Sequence, residues 1–446
     1  MTIISSESRK SGVLRKVALS AQHIKKTSVT GHGESNGGWT FIASPVADDI
    51  APSVVENLEG MKYETGTYNY DLYRFNQSAD LEWENYHSHD TQENPFMLEN
   101  GKGYLYASKN DRTLHFSGPF NTDHTKTVNL EYDANAEFAG WNLVGNPFPV
   151  QAWVNKSHYT MNSEGTSLVA NEVASSTPIP PLTGVMMQTT STTGENVTFS
   201  TTEPEQQSAN NGSLQIALSQ ANTRSNALLD NAIVSFNEGS QLGKYYFGRQ
   251  NANIYLPQDG EEYAIVSVGR DVARNVSIDK DVARYVSTEI PLNFKASENG
   301  TYTLSVDPQG VEMEYLHLID NLTGADVDLT PLLRGQGGLN DTRPSTASYT
   351  FTAKTTDYAS RFRLVFSEPA DETSANRPFA YFADGEIRIN EADARGASLQ
   401  VVDVMGRVIV TKDVARNVST NGMTPGVYVL RLIDGDNVRT QKIVVE

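Results

Sequence analysis

The feature that most constrains this chain is an internal repeat. Gly38-Trp39-Thr-Phe-Ile-Ala-Ser-Pro45-Val46 returns as Gly140-Trp141-Asn-Leu-Val-Gly-Asn-Pro147-Phe148, with Trp and Pro six residues apart in both copies. The residues between them alternate polar and apolar, the period of a strand with one buried face, and Pro, lacking an N–H for the ladder, ends it. A second pair of strings follows each copy: Gly103-Tyr-Leu-Tyr106 with Leu114-His-Phe116-Ser-Gly118, and Gly184-Val-Met-Met187 with Val197-Thr-Phe199-Ser200. Each reads as an apolar hairpin with a polar turn. One β-unit written twice accounts for all of this, as repeat 1 over residues 33–120 and repeat 2 over 121–205. Whether these are two domains or two halves of one stays open at this level.

Downstream the pattern stays β. After a polar linker at 202–212, residues 213–368 carry seven or eight short apolar segments separated by turns, from Leu214-Gln-Ile-Ala-Leu218 to Arg361-Phe-Arg-Leu-Val-Phe366. That spacing predicts a β-sandwich with long loops. Asp320-Asn-Leu-Thr-Gly324 reads as a tight turn leaving a strand. Following a second linker, Ser367 to Pro378, residues 379–446 form a compact block of six or seven short strands. Met405-Gly406 supplies one hairpin turn and Asp434-Gly435-Asp436-Asn437 another. Tyr428, Leu430 and Leu432 share one face there, opposite Val427, Val429 and Arg431. The expected fold class is therefore all-β: multidomain β-sandwiches, with an Ig-like C-terminal β-sandwich. A length of 446 residues allows about three or four such domains.

Charge and composition exclude several functions. A formal net charge of −19 with no basic stripe argues against nucleic acid. The absence of cysteine removes disulfides, thiolate metal sites and a Cys nucleophile. No apolar run approaches the roughly 20 residues of a membrane helix. Residues 1–32 are polar and basic, and read as a disordered or truncated leader. Arg9, Lys10, Arg15 and Lys16 resemble the basic start of a signal peptide, but the stretch after them is too short and polar for its apolar core. Either the chain is not exported, or the start lies downstream of the true one, and the second reading is favoured.

No nucleophile elbow, zinc-protease helix, phosphate loop or dinucleotide fingerprint occurs, so the reading is non-enzymatic, with no catalytic, cofactor or metal residue assigned. His87-Ser-His89-Asp90 would put two imidazoles on one side of a strand, but its polar surroundings read as a loop. Among the four tryptophans, Trp39 and Trp141 sit at equivalent repeat positions and read as core. Trp83, beside Glu82, Glu84 and Tyr86, is the candidate ligand platform, with Tyr86 as its partner. Asp271-Val-Ala-Arg-Asn-Val-Ser277 recurs at Asp281–Thr288 and Asp413–Thr420. Near-identity in unrelated blocks points to duplication into tolerant surface loops.

Three strings close the case. Leu399-Gln-Val-Val-Asp-Val-Met-Gly-Arg-Val-Ile409, Pro425-Gly-Val-Tyr-Val-Leu430 and Thr440-Gln-Lys-Ile-Val-Val445 follow in this order. Together they resemble the type A C-terminal sorting domain of the type IX (Por) secretion system of Bacteroidetes bacteria. The resemblance covers roughly the last 70 residues, and the Asp413–Thr420 copy lengthens one of its connections. It implies an address built on Gly406, Pro425, Gly426, Tyr428, Lys442, Ile443, Val444 and Val445, and the secretion machinery as partner. It also implies attachment to surface lipopolysaccharide after sorting, and a secreted or outer-membrane cell-surface location. The functional expectation is an exported, binding or adhesin-like β-sandwich protein of unknown ligand. The rivals are the non-catalytic C-terminal part of a secreted glycosidase or peptidase, and a carbohydrate-binding protein.

Overall fold

The structure is a computed structural model that describes residues 23–31, 38–58, 70–173, 177–204, 212–220, 228–247, 252–268, 289–311, 315–329, 347–366, 379–383, 386–389, 397–403, 405–413, 417–434 and 437–445. The chain is nearly all β, in several sandwich-like bodies. The leader at 1–22, the linkers at 205–211 and 367–378, and the first two Asp-Val-Ala-Arg copies at 271–277 and 281–288 lie outside the described residues, as do the tip residues 435–436.

The first body is the repeat. Unit 1 comprises β1 (His23–Val29), β2 (Thr40–Ala43), β3 (Tyr70–Phe75), β4 (Trp83–Asn85), β5 (Gly103–Ser108) and β6 (Arg112–Gly118). Unit 2 comprises β7 (Thr125–Leu130), β8 (Trp141–Gly145), β9 (Trp153–Val154), β10 (His158–Met161), β11 (Leu168–Asn171), β12 (Gly184–Gln188) and β13 (Glu195–Ser200). Each unit pairs its first strand with its last, and builds a four-stranded sheet, β2-β5-β3-β4 or β8-β12-β10-β11. The registers match: Ala43 faces Gly103 as Gly145 faces Gly184, and Phe41 faces Leu105 as Leu143 faces Met186. Lys25 faces Phe116 as Lys126 faces Phe199. The expectation of an unstructured leader through residue 32 is corrected here. His23–Val29 is the first strand of unit 1, and Val29 is buried in its core as Leu130 is in unit 2. Polar, basic residues alternating on an edge strand hid the period-two signal.

The two units interlock about a pseudo-two-fold axis. Ile42 of unit 1 bridges to Thr183 of unit 2, and Val144 of unit 2 bridges to Lys102 of unit 1. The Ala43 N–H donates to the Leu182 carbonyl (3.0 Å) and the Gly145 N–H to the Gly101 carbonyl (2.9 Å). Backbones pass so closely that only glycine fits. A Cβ on Gly145 would stand 2.3 Å from Ala43 Cβ, and one on Gly103 would stand 2.6 Å from the Val144 oxygen.

The second body is one long, curled sheet. Its strands are β14 (Ser213–Gln220), β15 (Leu228–Ser235), β16 (Leu242–Gly243), β17 (Asn253–Gln258), β18 (Glu261–Ser267), β19 (Glu289–Lys295), β20 (Gly300–Gln309), β21 (His317–Asp320), β22 (Ala325–Asp328), β23 (Ala347–Ala353) and β24 (Phe362–Val365). The order β22-β21-β24-β19-β17-β18-β15-β14-β20-β23 wraps a core of Leu218, Phe294, Leu304, Phe351 and Leu364 among others. Tyr302, Leu304 and Val306 point into that core while Thr303 and Ser305 between them do not, the alternation that made β20 legible. The Asp320–Gly324 turn is present, with the Gly324 N–H returning to the Asp320 carbonyl (2.7 Å). The Asp320 carboxylate faces inward and takes a two-pronged bond from buried Arg361 (Nε 3.1 Å, Nη2 2.9 Å). The Arg361 guanidinium lies over the Phe351 ring at 4.5 Å.

The third body is a two-sheet sandwich. β25 (Ala380–Ala383), β26 (Glu386–Ile389), β27 (Ser398–Asp403), β28 (Val408–Asp413), β29 (Asn417–Ser419), β30 (Gly426–Asp434) and β31 (Asn437–Val445) form sheets β25-β26-β29 and β28-β27-β30-β31. Both sheets bury side chains in one core. Gln441 ties them together, its Oε1 accepting from the Phe379 and Ala380 N–H groups at 2.7 and 2.9 Å. The third Asp-Val-Ala-Arg copy is not wholly a surface loop. Asp413 ends β28, and Asn417–Ser419 pairs with Glu386–Arg388 with Val418 buried.

Candidate functional site

The pseudo-symmetry sets up an aromatic face. Residues on one side of the two four-stranded sheets correspond pairwise. Trp39 matches Trp141 by the repeat. Tyr73 matches Tyr159, because they oppose the equivalent residues Leu105 and Met186. Trp83 matches Leu168, because they oppose Phe75 and Met161. All six belong to one apolar cluster, and the second body covers only part of it.

The unit 2 half is sealed. Ile233, Leu242 and Ile265 of the second body pack against it, leaving Tyr159 0%, Leu168 4% and Trp141 6% exposed. Polar bonds fix the seam. The Asn231 amide pairs with both backbone groups of Ala170 (2.8 and 2.9 Å), and the Tyr159 hydroxyl donates to the Gly243 carbonyl (3.1 Å). The unit 1 half is not sealed. Trp39, Tyr73, Phe75 and Trp83 keep part of their surface accessible. Trp39, Tyr73 and Trp83 line a cleft of about 1050 Å³, with Tyr246 and Phe247 of the second body on its far side.

The rings are held in place. Trp39 meets Tyr73 edge-to-face (centroids 6.0 Å) and Trp83 meets Phe75 likewise (5.1 Å). Trp83 also shares a side-chain hydrogen bond with the Tyr245 hydroxyl, and burial pushes the Tyr245 phenol upward. Below them Lys244 Nζ reaches both oxygens of Asp230 (2.7 and 2.5 Å), and the Ile254 N–H donates to Asp230 Oδ2 (2.8 Å). Burial pushes the Asp230 carboxyl up, against the pull of Lys244. On the rim the Glu262 carboxylate accepts the Tyr246 hydroxyl. Burial, then that carboxylate, push the Tyr246 phenol upward.

Trp83 therefore stands in an open cleft, but Tyr86 does not join it. Tyr86 packs on Phe96 (5.3 Å) against the separate core of unit 1, facing away from Trp83. The expected loop at His87-Ser-His89 is a helical turn, Tyr86–His89, capped by Asn85 Oδ1 accepting from the His87 N–H (2.8 Å). Trp39, read as core, belongs to the cleft wall. The lysine, glutamate and tyrosines from the second body carried no sequence signal, because they meet Trp83 only through the interface between bodies.

The sorting-signal residues cluster in the third body. Gly406 takes φ +81° in the turn before β28, and Asp403 Oδ1 accepts from the Met405 and Arg407 N–H groups, each at 2.9 Å. The Arg407 backbone bond, ahead of its side chain, holds the Asp403 carboxyl below the usual range. Past Pro425 and Gly426, the Tyr428 hydroxyl donates to the Thr424 carbonyl (2.7 Å) and locks the entry to β30. Ile443 and Val445 are buried and alternate with exposed Lys442 and Val444. The edge strand β28 and the turn before it leave Met405, Val408 and Ile409 exposed.

The described residues thus form three β bodies, with an aromatic cleft between the first two and a small sandwich as the third. Residues 383–446 match the family model of the secretion system C-terminal sorting domain, so this chain carries a type IX sorting domain. The chain is accordingly targeted for secretion or the cell surface, with the type IX machinery as a partner. No curated protein matches it.

Proposed function

We propose that this is a non-enzymatic, cell-surface β-sandwich protein of binding or adhesive type, whose ligand seat is the cleft between unit 1 and the second body. One observation carries the reading: an aromatic half-face stays open where its symmetry mate is sealed. Binding rather than catalysis is supported by two of the three described lining carboxylates: Asp230 is tied to Lys244 and Glu262 to Tyr246. The third body serves as the address, and the exposed edge at Met405–Ile409 offers the machinery a strand to read. After sorting, the chain is held at the surface, with lipopolysaccharide as the anchor.

The test is a binding panel with the purified full chain. Immobilised neutral polysaccharide, a quaternary-ammonium resin, and acidic and basic peptides are each offered to wild type and Trp83→Ala. Capture by one class that is lost in Trp83→Ala supports the reading. Equal behaviour of the two proteins on every class overturns it.

A further inference from the structure

We propose that the cleft ligand is a neutral polysaccharide, its sugar rings stacked on Trp83 and on the Trp39–Tyr73 pair. This rests on the cleft being a ligand site and adds the chemical class. A pyranose ring has one face of C–H groups and a rim of hydroxyls. It fits a site with an aromatic floor and mixed donors and acceptors along the edge. The cleft has that division. Tyr73 and Phe75 alternate onto one face of β3 and Trp83 stands across from Phe75 on β4, so the rings spread along a sheet rather than closing into a cage. Glu82 and Glu262 supply acceptors, and Lys295 supplies a donor.

Charge narrows the class further. The buried Lys244–Asp230 pair cancels itself. Among the described lining residues the rim carries the carboxylates Glu82 and Glu262 and the ammonium Lys295, which on a chain of net charge −19 disfavours an anionic ligand. A cation would prefer rings closed into a cage, whereas these spread along a sheet. A volume of about 1050 Å³ reaches the top of the range for small-molecule pockets, so there is room for several linked rings. The rings are already locked by their neighbours, so little side-chain freedom is lost on binding.

The experiment is affinity electrophoresis and tryptophan fluorescence titration of the full chain with soluble neutral polysaccharides, a glucan, a mannan and a xylan. Tetramethylammonium and a lysine-rich peptide are run alongside. The expected result is retardation and a saturable fluorescence change with at least one polysaccharide. Trp83→Ala should weaken it by about tenfold or more, and Trp83→Phe should keep most of it. Tyr246→Ala, on a ring 49% exposed, should also weaken it. Trp153→Ala, outside the cleft, should leave it unchanged. Blank polysaccharides with a Trp83-dependent response to the ammonium or the peptide would overturn the ligand class and leave the cleft as a site. No Trp83-dependent response to any probe would overturn both.

Discussion

The crossing of the two repeat units at Gly145 gives the most direct handle on the fold. Gly145→Ala would set a methyl 2.3 Å from Ala43 Cβ and 2.6 Å from the Lys102 carbonyl oxygen. Carbon atoms normally rest about 3.5–4.0 Å apart, so the overlap exceeds 1 Å on the Ala43 side. Neither neighbour is a side chain that can swing away, and Lys102 is pinned by its bridge to Val144. Overpacking costs typically about 1–3 kcal/mol, and this site belongs at the upper end. For a body of this size that lowers the melting temperature by roughly 6–12 °C, at about 2–4 °C per kcal/mol. All four tryptophans, Trp39, Trp83, Trp141 and Trp153, lie in the two repeat units, so tryptophan fluorescence during a thermal ramp reports this body and its seam with the second. Because Ala43 and Gly145 are symmetry mates, Ala43→Gly should relieve one of the two clashes. The double variant should recover about 1 kcal/mol relative to the sum of the singles, within the range for touching residues. A Gly145→Ala protein melting within about 1 °C of wild type would refute the interlock.

Other outcomes follow from single groups. Burial pushes the His158 imidazole down to about 4, its Nδ1 donating to the Lys156 carbonyl. The folded protein then holds this side chain neutral while the unfolded chain takes a proton below about 6.5. Its contribution is present above that pH and is lost as pH falls toward 4, by about 3 kcal/mol in total. Urea titrations at several pH values should show that slope in wild type and not in His158→Gln. Arg361→Met strands a buried carboxylate and should cost about 3–5 kcal/mol. Adding Asp320→Leu should return part of it, as read by circular dichroism melts. Val408→Lys with Ile409→Lys, at positions 49% and 45% exposed, should leave folding intact and cut surface display severalfold, measured by labelling whole cells. Unchanged display would remove the edge strand from the address.

Much of this architecture is legible in the residues. The Trp-to-Pro strings, alternation in β20 and β30, and the glycine turns all act through local periodicity, which survives in a linear string. The strand His23–Val29 was missed because only one of its residues with described burial, Val29, is buried. The partners of Trp83 were missed for a different reason. Tyr246, Lys244 and Glu262 sit about 160–180 residues away in the chain, and nothing local marks a side chain whose neighbours come from another body. Asp320 reads as a turn residue, which it is. Its second role, holding Arg361 inside the core, depends on a partner 41 residues away.

The third body acts as a portable address, and that claim can be tested directly. Residues 379–446 would be fused behind a signal peptide and a fluorescent protein and expressed in a bacterium that has the type IX machinery. Protease added to intact cells should then destroy the reporter, and the same fusion without residues 379–446 should stay protected in the periplasm. Equal protection of the two fusions, with both confirmed as folded, would contradict it.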